Sequence, residues 1–531
     1  MSNDSDCNIV PSQKQGLSRY SSDLIKRGLD LANKTQTLNN KSLQPQQPPT
    51  IQEEAKKLLQ YGKEKYNKGD YQGAFNDFNQ ALKINPNYAE AYENRGTARF
   101  TVDKQGAIDD CTQALRINPN YAEAYYLRGL ALSDLKDYQG AINDYTQALK
   151  INPNYIEAYY MRGLIYGTDL DNHQSAIEDY SQVLRIDPNN THVYSMRGLA
   201  RECLEDYQGA IDDYTQALRI NPSEESIYDQ RGEVREKLED YQGAIDDYTQ
   251  ILRINPNNGH AYHSRGNVRR YNLGDKQGAI DDYTQALRID PNYYHAYHSR
   301  GDVRLELGDR QGAIDDYTQI LQIYIDPDDF LYEFKSITDA FIYQCRGKIR
   351  VELGDFHGAI DDYTQILRIN PDDDDIYRER ISLRLKLGDF QGAISDYNAA
   401  LEINPDDVEA YIRRGCIRIQ LGEYLGAIEN FDRAIPIDPN WAELYYDEIE
   451  EALEDVKRED VKQQIIQHFM IRVGNAYYEA GDYQEAIDKY SELLDVYPNY
   501  VYAYHNRGLA RSALGDYQGA IEDLQRAANP K

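Results

Sequence analysis

The nine histidines of this 531-residue chain are distributed unevenly. Two segments read HAYH, at 260–263 and 295–298. In each, two imidazoles stand three residues apart, which puts them on one face if the segment is helical. Four imidazoles on neighbouring helices, His260, His263, His295 and His298, could hold Zn, Ni or Cu, or switch local charge near pH 6. A plainer account is that the two segments are duplicates whose surface positions tolerate polar residues. Asp372 to Asp375 follows Pro371 but lacks the spaced oxygen ligands and the glycine of an EF-hand loop, so it reads as a charged helix start. The sequence carries no phosphate loop, GxSxG elbow, HExxH or CxxC pair. No catalytic residue and no cofactor are expected, and the chain is read as a non-enzyme.

The element that must position these histidines is a repeat. Asp206 to Pro222 (DYQGAIDDYTQALRINP) returns almost unchanged from Asp240 to Pro256. Its apolar and aromatic residues, Tyr207, Ala210, Ile211, Tyr214, Ala217, Leu218 and Ile220, recur at three- and four-residue steps, the signature of an amphipathic helix closed by a proline. Ser226 to Leu238 forms a second helix, and Glu239-Asp240 the turn between them. The unit is a helical hairpin of about 34 residues.

Closing prolines at Pro86, Pro119, Pro153, Pro188, Pro222, Pro256, Pro291, Pro327, Pro371, Pro405, Pro439, Pro498 and Pro530 mark thirteen units. With the closing proline at slot 32, slot 4 is nearly always Tyr, slot 8 is Gly except at Ile381, slot 20 is Ala throughout and slot 24 is usually Tyr. Small residues mark close helix approach, and rings fill the gaps. The formal charge of −31 disfavours nucleic acid as a partner and favours a basic one. Five cysteines without a paired motif suggest neither a disulfide framework nor a zinc module. No run suggests a membrane span or secretory signal, so a cytoplasmic location is expected.

The spacing of aromatic-4, Gly-8, Ala-20, aromatic-24, Ala-27 and Pro-32 resembles the tetratricopeptide repeat, in long regular arrays of the bacterial and cyanobacterial type. The resemblance implies an all-α, right-handed superhelical solenoid of about thirteen antiparallel helix-turn-helix repeats. It also implies a concave groove, lined by the first helix of each repeat, that binds peptides or partner proteins. The expected layout is a disordered tail (1–50), repeats one to eight (55–327), an insertion (328–339), repeats nine to eleven (340–441), an acidic helical interruption (442–466) and repeats twelve and thirteen (467–531). By the family's geometry slots 2 and 5 face the groove, which nominates Tyr126, Tyr160, His260, His263, His295 and His298 as ligand contacts, together with Asn267 and Asp302 one turn further along the same helices. The expected function is a protein-interaction scaffold. The alternatives are a metal-responsive array working through the four histidines, and a structural protein that self-associates through its uncapped C-terminal end.

Slot 11 departs from the family pattern, because Arg often stands where Tyr is usual, as at Arg235 and Arg350. Slot 7 is mostly Arg and slot 23 mostly Asp, which suggests an ion pair. Pairing slot 23 with slot 7 of the following repeat fails at one position, and pairing within a repeat fails at two. The neighbour pairing is therefore expected.

Overall fold

The computed structural model describes residues 51–323 and 332–529. The tail expected over 1–50 and the start of the 328–339 insertion lie outside the described residues. All regular structure among the described residues is α-helical. The chain divides into two compact units, Met1–Asp290 and Pro291–Lys531, a boundary that falls inside the stretch 55–327. The first unit stacks seven antiparallel helix pairs, from Ile51–Asn67 with Tyr71–Ile84 to Gly259–Tyr271 with Lys276–Ile289. The second runs from Tyr294–Glu306 with Arg310–Gln322 to Val501–Ala513 with Tyr517–Ala528. The fold class is an all-α helical-repeat solenoid.

Most second helices begin where an aspartate caps them, and Asn172 does the same in repeat four. Asp240 Oδ1 accepts the Gly243 N–H at 3.1 Å, and Asp206 does the same for Gly209 at 3.0 Å. Just before the cap the chain passes through a left-handed residue in every repeat but the second. In the later repeats this is glycine, as at Gly308 (φ 82°), but Lys136, Asp171, Glu205 and Glu239 hold it with side chains, Glu239 at φ 61°.

The slot pattern becomes packing. Tyr214 and Tyr248 of slot 24 are buried among slot-20 and slot-27 residues and the next repeat's first helix, and Tyr283 is buried as fully. Their rings explain the slot-8 glycine, because a Cβ on Gly198 would sit 2.7 Å from Tyr214 Cε1. Where Ile381 replaces that glycine, Tyr397 is 6% exposed, against 1% for Tyr363 in the preceding repeat. A cavity of about 260 Å³ lined by Ile381 and Tyr397 opens beside it.

The arginine–aspartate pairing corrects the sequence expectation: it forms within each repeat. Arg231 grips Asp247 through Nε (3.0 Å) and Nη2 (2.6 Å), while its Nη1 donates to Thr215 Oγ1 of the preceding repeat at 2.8 Å. Arg197, Arg265 and Arg380 make the same three contacts. The unusual slot-11 arginine is the second partner of the same carboxylate, for Arg235 Nη1 reaches Asp247 Oδ2 at 2.7 Å and the Gly243 carbonyl at 2.9 Å. Arg231 also lies over the slot-4 ring of Tyr228, 5.6 Å from its centroid.

The exceptions also obey the within-repeat rule. Repeat one has Tyr61 at slot 7, and Lys65 of slot 11 takes Asp77 at 2.7 Å. Repeat eleven pairs Arg414 with Asn430 at 2.7 Å. Repeat twelve has lost both partners together: Val473 stands at slot 7, and Lys489 turns to Glu443 and Glu492.

The interruption 442–466, expected as one acidic helical stretch, is divided among three helices: Pro439–Glu443, Tyr446–Leu453 and Glu459–Ala480. Its apolar residues decide this. Ile449, Leu453, Val456, Val461 and Ile465 are all buried in one cluster with Phe431 and Phe469, and a single straight helix could not turn both arms onto that core. No helix among the described residues is long and apolar enough to cross a membrane.

Two stability measurements check this reading. Asp247→Leu leaves two partly buried guanidiniums without their carboxylate and is expected to cost about 3–5 kcal/mol in urea unfolding, with Asp247→Asn costing less because an amide oxygen still accepts, as at Asn430. Glu239→Gly removes the left-handed strain and is expected to stabilise by about 1 kcal/mol.

Candidate functional site

Successive first helices of the first unit approach one another, as Ala89–Arg99 does with Ala122–Asp134. The contacts between them follow one register. Slot 2 of each repeat lies against slots 5 and 9 of the repeat before it. Lys63 of slot 9 bridges Glu90 of slot 2 at 2.6 Å, Tyr160 of slot 5 meets His192 of slot 2 at 2.9 Å, and Asp229 of slot 5 meets His260 of slot 2 at 3.6 Å. These three slots change from repeat to repeat while the core slots do not, so the variable chemistry of the first unit is gathered along its first helices.

The nominated residues separate by depth. Tyr126 and Tyr160 are buried, 8% and 1% exposed, and this corrects their nomination as open contacts. Tyr126 packs between Tyr145 and Tyr155, with centroids at 5.8 and 5.0 Å. Tyr160 packs on Tyr180 and bonds to His192, whose pKa burial lowers to about 4, so that imidazole is neutral at physiological pH. A slot-5 side chain as long as tyrosine reaches back into its own repeat, where the slot-24 ring receives it.

Asn267 and Asp302 have a structural duty on the inner side of the first helix: each accepts the hydroxyl of its repeat's slot-24 tyrosine, Tyr283 at 2.8 Å and Tyr317 at 2.6 Å. His260 is exposed, and Asp229 raises its pKa by hydrogen bonding. His263 packs on the ring of Tyr283 at 5.6 Å. In the second unit His295 is exposed, with its pKa lowered by burial and by His298. His298 Nδ1 lies 3.6 Å from Asp302 Oδ2.

Two features went unread in the sequence. The first is a polar cavity of about 500 Å³ between the first helices of repeats five and six, lined by Asp187, Asn190, His192, Ser195, Glu224 and Ser226 among others. The second is Glu93, a slot-5 carboxylate only 9% exposed. Thr97, Asn94 and Tyr121 donate to it at 3.1, 2.7 and 3.3 Å. The slot rule that picked out histidines would have found Glu93 if applied to carboxylates.

Burial, reinforced by Glu123 and Glu90, pushes the Glu93 pKa up to about 7 against the opposing pull of Lys63 and Thr97. An acid raised in the folded state adds stability that is complete below its unfolded pKa and is lost as pH rises through the folded value. Wild type is therefore expected to lose on the order of 2–3 kcal/mol more than Glu93→Gln between pH 4.5 and pH 8, read from urea midpoints across that range.

Family models described as tetratricopeptide repeat match residues 122–155, 156–190, 191–224, 225–258, 268–329, 346–408 and 378–440, and a TPR repeat model matches 62–102 and 474–515. Together these matches cover most of the chain. No curated protein matches it in sequence. Among solved structures, MamA is 30% identical, with a TM-score of 0.29 over 30% of this chain and 94% of that one. YrrB, described as a TPR protein with an unusual peptide-binding site, is 21% identical, with a TM-score of 0.32 over 36% of this chain and 97% of that one. Naa15/Naa10 bound to HypK-THB is 13% identical, with a TM-score of 0.38 over 89% of this chain and 94% of that one. With its repeats matched from residue 62 to residue 515, the chain belongs to the tetratricopeptide repeat family.

Proposed function

We propose that this chain is a non-catalytic interaction scaffold that holds a peptide or a segment of a partner protein along its first helices. The observation that carries the reading is the division of labour between slots. Slots 7, 8, 20 and 23 are nearly invariant, slot 11 is mostly Arg and slot 24 mostly Tyr, and these slots are buried or paired, whereas slots 2, 5 and 9 vary and meet between neighbouring repeats. A surface that is rigid in backbone and variable in side chain suits recognition by many modest contacts. His260, His263 and Asn267 in the first unit, and His295, His298 and Asp302 in the second, are the proposed contacts from the original nomination. The polar cavity at Asp187, His192, Ser195 and Glu224 joins them.

The partner segment is basic. The chain's formal charge of −31 attracts such a ligand at long range, and Asp187 and Glu224 supply carboxylates at the cavity itself.

A panel of Lys/Arg-rich and Asp/Glu-rich peptides, read by fluorescence anisotropy, tests the proposal. Basic peptides are expected to bind more weakly as salt rises, and the Asp187→Lys, Glu224→Lys double variant is expected to weaken them by roughly tenfold or more. Binding of acidic peptides instead, or equal binding by the double variant, would remove the assignment to this cavity.

A further inference from the structure

The register that places slot 2 against slots 5 and 9 of the preceding repeat makes one triangle of side chains at each step of the first unit. Tyr126, Leu130 and Glu157 fill it at one step, Ser195, Leu199 and Ser226 at another. Neither combination can chelate an ion. Between repeats six and seven the same triangle holds Asp229, Glu233 and His260, with one ligand atom of each lying within 4.8 Å of the other two. Among the described residues no other set of three or more His, Cys, Asp or Glu side chains meets this condition.

We propose that Asp229, Glu233 and His260 form a binding site for a divalent transition-metal ion, with His260 Nε2 and one oxygen from each carboxylate as ligands. Three observations support it. Asp229 and Glu233 are four residues apart on the helix Glu225–Lys237, so both carboxylates project from one face, and the imidazole comes from the facing helix Gly259–Tyr271. Asp229 Oδ1 is shut off from solvent yet accepts no hydrogen bond, so an oxygen of the trio is left with acceptor capacity unused. The cations on the same helix are engaged elsewhere, Lys237 by Glu202 at 2.7 Å and Arg231 and Arg235 by Asp247 at 2.6 and 2.7 Å.

The donor set decides the class of ion. One imidazole with two carboxylates suits Zn²⁺ and its first-row neighbours, whereas Ca²⁺ and Mg²⁺ bind oxygen donors. Ligand atoms around one such ion, each about 2.0–2.2 Å away, stand at most about 4.4 Å apart. Small rotations of the exposed Glu233 and His260 side chains close that gap. Three protein ligands leave the remaining positions to water, and the ion ties repeat six to repeat seven.

The test uses the untagged full-length chain and Zn²⁺ alone, titrated against a chromophoric chelator, with a thermal melt of each protein with and without the ion. Wild type is expected to bind about one Zn²⁺ per chain saturably and to melt higher in its presence. His260→Ala and the Asp229→Asn, Glu233→Gln double variant are each expected to weaken binding by at least about tenfold and to lose the melting shift, while His263→Ala keeps both. All these side chains are exposed or half-buried, so the variants remain folded, which their melting without metal verifies. Absence of saturable binding by wild type, undiminished binding by His260→Ala, or loss of binding by His263→Ala would each overturn the proposal. Peptide binding is not read in this experiment, so its outcome is independent of the scaffold assignment.

Discussion

In most repeats a buried carboxylate held by two guanidiniums fixes the geometry of the hairpin. The slot-23 aspartate sits in the second helix, 1% exposed at Asp247 and 2% at Asp213. The slot-7 and slot-11 arginines reach it from the first helix, one turn apart. Two positive groups on one negative group would be an expensive arrangement in a dry core. Here each guanidinium spends its other donors on a neighbour's hydroxyl or on a backbone carbonyl, and keeps one edge near water. The result locks the angle of the hairpin, and the bond from slot 7 to the previous repeat's Thr or Ser carries that angle to the next pair. Repeat twelve, where Val473 and Lys489 replace both charges together, shows that the pair behaves as one unit.

Because the hairpin angle is set by this constellation and by the slot-8 glycine under the slot-24 ring, the surface slots are free to vary without disturbing the fold. Their relation to one another is nonetheless strict, since slot 2 faces slots 5 and 9 of the repeat before it wherever the first unit repeats itself. The chemistry at each step is thus a three-letter choice. Lys63 with Glu90 makes an ion pair, Tyr160 with His192 makes a neutral hydrogen bond, and Asp229 with Glu233 and His260 makes a chelating trio.

Much of this was legible in the sequence, because period, closing proline and amphipathic spacing are local signals that recur thirteen times. The hairpin boundaries, the capping turn and the small-residue contacts followed from them. The direction of the arginine–aspartate pair did not. Within-repeat and neighbour pairings differ by only one exception in a count of residue types, and the bond that does cross to the neighbour ends on a slot-25 hydroxyl, whose residue type carries no charge signal. Tyr126 and Tyr160 were misplaced because a slot assigns a direction to Cα–Cβ but not a depth, and a phenol is long enough to fold back onto Tyr145 or Tyr180. The division of residues 442–466 was hidden by their acidic exterior, since the buried Ile449, Val456 and Ile465 are spaced too irregularly to announce a turn.

The left-handed residue before the second helix, present in every repeat of the first unit but the second, sets where that unit yields. Gly69 and Gly274 take that conformation without strain, but in repeats three to six it falls to Lys136, Asp171, Glu205 and Glu239. In a stack whose stability is a sum of local and nearest-neighbour contributions, four adjacent strained turns lower the free energy of opening that block relative to its flanks. Amide protons there are expected to exchange through a shared partial unfolding that leaves the flanking repeats closed. The segment bearing Asp187, His192 and Glu224 is thus also the part of the first unit expected to open most readily.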